Sequence, residues 1–423
     1  MRPTHQAAVV PCWVLTRLPI LAIALGAIPY RWPGIIRGDI RLYEGWAAVL
    51  RQGRFPTGDW NWQYPPGAAL AMLLPEWLPG GYLGGFLTLA ALADAAVLVL
   101  LLRFAGRGGS VAGVWTWIAG IPLLGPIAYA RYDILVAAVA VGALALTARA
   151  VLSGALVGLG AMLKAWPALL LVGIPRGSHT RRAVGATAVA CALLAVGLAV
   201  LLPGSLNFLA YQRGRGVQLE SVPGSVFLVA RHLGWDGTNP FRYGAREFVG
   251  PGVGAVRVVA PLLTLAALGW LLHWRRRAGW HPCMPHDAAL TATLLAVVTS
   301  RVLSPQYLVW LVALAAVCLA QRETSQRTVA LLLLACTALT QLEFPVLWAG
   351  VVGARLPADL VLLVRNTGLV CAAVLSARAL WRSTVRADRA PRSTDSAAAP
   401  PARGAASDAS TRQKIRPWLS STQ

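Results

Sequence analysis

Apolar runs of about 17 to 25 residues recur along this chain from Val14 to Trp381, and they constrain its fold more than any other feature. A helix of that length crosses a hydrocarbon core about 30 Å thick with its backbone N–H and C=O groups satisfied inside the segment. Strands of a membrane barrel would alternate apolar and polar residues, and these runs do not. Composition agrees: the chain is 57% hydrophobic and only 13% charged, against about 25% charged in ordinary soluble domains, and its mean hydropathy is +0.60. The expected fold class is therefore an all-α polytopic membrane protein.

Spans are expected near residues 12 to 30, 82 to 102, 111 to 128, 134 to 149, 183 to 202, 254 to 273, 288 to 300, 306 to 320, 328 to 348 and 358 to 381. Between 151 and 174, two apolar runs of about a dozen residues meet at Lys164, Trp166 and Pro167. Each is too short to cross alone, which predicts a pair of short helices turning inside the membrane and brings the total to about twelve. The first run lacks a convincing small-residue cleavage site and reads as a retained span. The six cysteines lie in apolar runs or one short loop, so no disulfide framework is indicated.

The formal charge of +22 does not point to nucleic acid, because the basic residues lie between apolar runs and form no single patch. All are Arg except Lys164 and Lys414, a bias that also suits GC-rich coding and lowers the weight of any one Arg. Arg103 and Arg107, Arg176 with Arg181 and Arg182, Arg275 to Arg277, and Arg322 with Arg327 fall in short loops on one side. That side should be cytoplasmic, with both termini inside a multi-pass cell-membrane protein. The membrane domain should occupy residues 1–381, with outer loops at 31–66 and 203–252; residues 382–423, rich in Ala, Ser, Pro and Arg, read as a disordered cytoplasmic tail.

Both outer loops carry five Arg, contrary to the usual bias, which suits a face that binds an anionic group. In the first, GDIRLYEGWAAVLRQG spaces Tyr43, Trp46, Ala47 and Leu50 as an amphipathic helix on the membrane, begun at Asp39 and ended by Gly53. Asp39 suits a helix N-cap and also a general base, and the two roles are compatible. GDWNWQYPPG follows, offering Trp60, Trp62 and Tyr64 to a sugar or lipid chain, or to an interfacial aromatic belt. The second loop reads YQRGRGVQLES, where Arg213 and Arg215 suit a phosphate and Gln218 and Glu220 suit polar substrate groups.

Ionisable residues inside spans are expensive and mark function by default, which singles out Arg131 and Asp133 in ARYD and Lys164 in AMLKAWP; Asp94 and Glu343 carry less weight. Arg131 and Asp133 are able to pair with each other, whereas Lys164 has no obvious local partner. In TSRVLSPQYLVWL, residues Arg301, Ser304, Pro305, Gln306 and Tyr307 break a helix at the outer side, and broken backbone at membrane depth usually lines a cavity. His281, Cys283, His286 and Asp287 cluster in HPCMPHD without a metal-site spacing, so no metal site is expected there.

The GD-led helix, YPPG, LKAWP, RGVQLES and VLSPQYLVW occur in this order and together resemble glycosyltransferase family 87. This is a group of polyprenyl-phosphate-mannose-dependent mannosyltransferases of the GT-C superfamily, of actinobacterial type. The likeness covers nearly all the chain to about residue 380, and RGVQLES with SPQYLVW is its most specific part. It implies a GT-C membrane fold, an active site facing outside, and a sugar, mannose by resemblance, carried on a polyprenyl monophosphate. It also implies an acidic general base in the first outer loop, where Asp39 matches and Glu44 is the second choice. The residues suit an inverting displacement in which Lys164, Arg213, Arg215, Arg131 and Arg301 are candidates to stabilise the departing phosphate, so no cofactor and no obligatory metal are expected. Tyr43, Trp62, Tyr64, Gln218, Glu220, Gln306 and Tyr307 are the expected substrate contacts. The partners are then the lipid-linked donor, a glycolipid or glycan acceptor, and membrane lipids. A secondary transporter is the rival reading, disfavoured because the two halves show no related motifs; a catalytically inert membrane scaffold is the third.

Overall fold

A computed structural model of the protein describes residues 3–386, the side chains of residues 3–7, Ile35, Tyr211, Arg213 and Arg386 excepted. It is an all-α membrane architecture. Helices Ala8–Leu25, Gly81–Gly106, Ser178–Leu201, Val253–Arg277, Arg327–Val346 and Leu356–Val385 are long and apolar enough to cross a membrane. Shorter apolar helices lie at Ala68–Trp77, Ala112–Ala128, Asp133–Ala145, Ala150–Leu163 and Tyr307–Leu319, and Met284–Thr299 is another. The helices expected from hydropathy divide into full-length spans and shorter members, because glycine and proline interrupt several apolar runs; Ala68–Trp77 is a short helix that was not among the expected spans. Gly125, at φ +71, and Pro126 turn the run 112–128 from α-helix into a 3-10 turn. Lys164 is extended, at φ −158 and ψ 132, and separates helix Ala150–Leu163 from the 3-10 segment Trp166–Gly173, the expected short pair. The region expected as a tail from residue 382 starts as one more helical turn, Arg382–Arg386; the disorder expected beyond it falls outside the described residues.

Burial separates two kinds of helix. Ser178–Leu201 and Val253–Arg277 carry large exposed aliphatic side chains such as Val200 at 73% and Leu265 at 63%, surface that in a bilayer meets lipid. Tyr307–Leu319 is buried along nearly its whole length, so it forms the centre and packs against helices on several sides. Small residues permit that packing: a methyl group on Gly113 would stand 2.2 Å from the Ala316 carbonyl oxygen. Asp94, fully buried in helix Gly81–Gly106, accepts from Arg17 at 2.8 Å and from the Trp13, Trp117 and Tyr129 side chains. With four donors it is a satisfied structural anchor between the N-terminal helix and the bundle.

The second large polar loop, 203–252, forms a three-stranded antiparallel sheet, Val217–Gln218 and Phe241–Arg242 pairing on either side of Ala245–Phe248. Gln218 N donates to the Arg301 carbonyl at 2.9 Å, so this sheet is tied to the broken segment between helices Met284–Thr299 and Tyr307–Leu319. That tie brings the two loop motifs together.

Candidate active site

The first large polar loop, 31–66, forms the helix Pro33–Leu50. Proline fits its first turn, where its missing N–H is no loss, and Ile36, Ile40, Tyr43, Trp46, Ala47 and Leu50 make one buried stripe. The helix ends at Leu50, and Gly53 takes φ +69 in the following turn. Asp39 therefore lies inside the helix, a correction to its expected place as N-cap: Trp32 holds that position, without a side-chain cap bond. Asp39 shares the inward face, and its Oδ2 stands 2.5 Å from Arg131 Nε. The carboxylate is 38% exposed while Arg131 is 8% exposed, so the acid reaches open space while its cationic partner is held in the protein.

Arg131 and Asp133 do not pair with each other. Arg131 precedes helix Asp133–Ala145 and faces Asp39, whereas Asp133 lies in its first turn and meets Lys164 Nζ at 2.7 Å. Lys164 thus has a buried partner that its sequence neighbourhood did not reveal. Its ammonium also lies 4.9 to 5.5 Å from the ring centres of Tyr132, Trp310, Tyr64 and Tyr307. Trp310 Nε1 donates to the same Asp133 oxygen at 2.7 Å. Such a cage stabilises a cation that has left water, and the extended backbone at Lys164 delivers it there.

Two cavities flank this core. One, about 390 Å³, carries Lys164, Arg215 and Arg301 on walls that include Trp166, Phe208, Val297 and Trp310. Arg215 is buried, its Nε 3.5 Å from Glu247, and Arg301 Nη2 donates to the Gln212 carbonyl at 2.9 Å. The cavity combines three cations with apolar and aromatic surface, a lining suited to an anionic group on an apolar chain. The other, about 290 Å³, is lined by Asp39, Arg131, Gln218, Glu220, Arg246 and Gln306 among others. Ser304, Pro305 and Gln306 line this cavity and the adjacent Tyr307 lines the first, so one short turn borders both.

In the Asp39 cavity, Gln218 is held at both ends of its amide. Its Nε2 donates to Glu220 Oε2 at 3.0 Å and Ser304 Oγ at 3.3 Å, and its Oε1 accepts from Leu303 N at 3.1 Å. Glu220 is almost fully buried and its Oε1 has no hydrogen-bond partner. Burial, with Glu343 nearby, pushes this carboxyl well above the usual carboxylate range, so it favours the neutral, hydrogen-bond-donating form.

The sequence bears out what this arrangement suggests: residues 62–305, more than half of the chain, match the model of glycosyltransferase family 87. The chain belongs to glycosyltransferase family 87. Comparison with characterised proteins and with solved structures gives no match. Membership makes this a membrane glycosyltransferase and sets aside the transporter reading.

The matched stretch of this family 87 glycosyltransferase holds Lys164, Arg301 and the RGVQLES segment that begins at Arg215, whereas the helix bearing Asp39 precedes it. Of the residues expected at the site, Lys164, Arg215, Arg301, Tyr64 and Tyr307 line the cationic cavity, and Asp39, Arg131, Gln218, Glu220 and Gln306 line the other. Glu44 does not join them: five residues beyond Asp39, it is exposed on the opposite side of the helix. Tyr43 and Trp62 line neither cavity. They are buried in an aromatic stack behind the site, where Trp62 lies 4.8 Å from Trp46 and Tyr43 lies 5.9 Å from Tyr132. The side chain of Arg213 lies outside the described residues.

Sequence reasoning missed the support for this enzyme's RGVQLES segment. Arg365 Nη2 donates to the Glu220 carbonyl at 3.2 Å, and Asn366 donates to the Ser221 carbonyl at 3.3 Å and Ser225 Oγ at 2.8 Å. Glu343 lies 3.6 Å from Arg365, both fully buried. An Arg-Asn pair inside a 26-residue apolar helix was the available signal, discounted because Arg is so common here. The His281 to Asp287 cluster lies apart from both cavities; Asp287 accepts from Thr324 Oγ1 at 2.6 Å and Ser325 Oγ at 2.8 Å.

Proposed function

We propose that this glycosyltransferase moves a sugar, mannose by its resemblance, from a polyprenyl-phosphate donor to a hydroxyl of a glycolipid or glycan on the outer face of the cell membrane. The observation that carries this reading is the juxtaposition of two cavities, one holding a solvent-reaching carboxylate and the other three cations on apolar walls. A lipid phosphate suits the second: its oxygens face Arg215, Arg301 and Lys164 while the chain follows aromatic and aliphatic surface. The anomeric carbon then lies toward the turn 304–307, which borders the cavity of Asp39.

The chemistry is a single inverting displacement. The acceptor oxygen attacks the anomeric carbon, the bond from that carbon to the phosphate oxygen breaks, and polyprenyl phosphate leaves with the bonding pair. Asp39 takes the acceptor proton. A phosphate leaving group needs no general acid, and the cations stabilise the charge it gains. Because Lys164 is paired with Asp133 and Arg215 faces Glu247, Arg301, which forms no ion pair among the described residues, carries the least-compensated charge of the three. With these cations available we expect no obligatory metal, so a chelator should leave the rate unchanged.

The test supplies purified full-length protein in liposomes with labelled polyprenyl-phosphate mannose and a lipid extract from a strain lacking the protein. Label should pass into one glycolipid or glycan that the deletion strain fails to make, and the precursor accumulating in that strain names the acceptor. Transfer from a nucleotide sugar alone would overturn the donor assignment, and transfer from the glucosyl but not the mannosyl lipid would replace the sugar.

A further inference from the structure

A groove of about 440 Å³ lies away from both cavities, among the last turns of helix Val253–Arg277, the last turns of helix Leu356–Trp381, and Leu295. Its walls are Trp270, Leu295, Val374, Ala377 and Trp381, and Arg378 and Arg382 line it as well, one helical turn apart. Arg17, Arg131 and Arg365 inside the bundle each face a carboxylate. Arg378 and Arg382 form no ion pair among the described residues.

The groove is built into a fastened part of the fold. Trp274 Nε1 donates to Thr384 Oγ1 at 2.9 Å, and Gly279 N donates to the Thr384 carbonyl at 2.7 Å, which ties the ends of the two long helices together. Trp381 is stacked on His273 with ring centres 5.9 Å apart and lies 6.3 Å from Trp270. Indoles favour the boundary between hydrocarbon and headgroups. The neighbouring Leu272, Val374 and Leu375 are exposed on the surface that meets lipid.

Three occupants are conceivable, and charge separates them. The chain beyond residue 386 holds six basic residues against three acidic ones, and a second copy would bring its own arginines to this face; neither complements two cations. An anionic amphiphile complements both the arginines and the apolar walls. We propose that the groove binds a phospholipid of net negative headgroup, its phosphate on Arg378 and Arg382 and one acyl chain along Trp270, Leu295 and Val374. The site is independent of the sugar-transfer reading, because it shares no residue with either cavity.

The experiment incorporates the full-length protein into nanodiscs of mixed phosphatidylcholine and phosphatidylglycerol, re-extracts it gently, and counts retained lipids by native mass spectrometry. Wild type should retain phosphatidylglycerol above its share of the disc. Arg378→Gln with Arg382→Gln should lower that preference about thirtyfold, at about 1 kcal/mol for each basic residue near an anionic headgroup. Arg276→Gln with Arg277→Gln removes the same charge from a neighbouring helix end without touching the groove and should change little. Ala377→Trp fills the groove with its arginines intact and should abolish retention, which keeps the test decisive if the arginine variant unfolds. Equal retention by wild type and the filled variant, or equal loss in the Arg276/Arg277 control, would overturn the proposal.

Discussion

Replacing Asp39 by Asn separates a base from a mere partner of Arg131. The amide keeps the size of the side chain and an oxygen facing the guanidinium, but it cannot accept the acceptor's proton. Loss of a positioned general base slows a reaction by about 10²- to 10⁴-fold, about 3–5 kcal/mol in the barrier. The effect on folding should be smaller. Arg131 is buried at 8% exposure but Asp39 is 38% exposed, so the pair lies between a surface bridge worth about 0–1 kcal/mol and a fully buried one whose disruption costs about 3–5 kcal/mol; about 1–2 kcal/mol is expected. The assay measures initial rates of sugar transfer at saturating donor alongside thermal unfolding in detergent. Arg131→Gln is the comparison: if Asp39 only neutralises Arg131, the two variants should lose activity equally and the double variant should recover it. Asp39→Asn retaining a tenth or more of the rate while folded would refute the base assignment.

Asp133→Asn should destabilise the protein by about 3–5 kcal/mol, because it leaves the caged Lys164 buried without its counter-charge, and Lys164→Met with Asp133→Leu should recover much of that in a thermal melt. Arg215→Gln and Arg301→Gln should raise the KM for the lipid donor at least tenfold, about 1.4 kcal/mol each, with the acceptor KM unchanged; an acceptor effect of equal size would move the phosphate elsewhere. Glu220 is shifted upward in the fold by burial, so its contribution to stability is present below the unfolded value of about 4.3 and is lost as pH rises toward the folded value. Glu220→Gln should flatten that decline, seen as a smaller drop in unfolding temperature between acidic and neutral pH, and a slope unchanged from wild type would place the proton elsewhere.

Much of the fold was legible because membrane insertion imposes a simple requirement. A segment in hydrocarbon has to satisfy its own backbone, so long apolar runs announced helices and proline announced breaks at Lys164–Pro167 and 300–306, whereas the interruption at Gly125 inside the span expected over 111 to 128 appeared only in the structure. The short pair around Lys164 was visible in the same way. Helix ends were less legible. Asp39 was placed at a helix start because Asp favours N-caps, but Pro33 upstream fitted the first turn as well and the buried stripe from Ile36 extended the helix past it.

The site divides along the same line. The sequence alone determined which residue types were available: a carboxylate in the first large polar loop, cations at Lys164, Arg215 and Arg301, and amide and acid in RGVQLES. Local spacing carried no information about partners far apart in the chain. Only the tertiary structure decided that Arg131 faces Asp39 while Lys164 faces Asp133, that Tyr43 and Trp62 serve as packing, and that Arg365 and Asn366 hold the loop from a distant helix. The physical reason is that hydropathy is a property of each segment, whereas an ion pair depends on two side chains meeting in space, and that meeting is set by helix packing around Tyr307–Leu319.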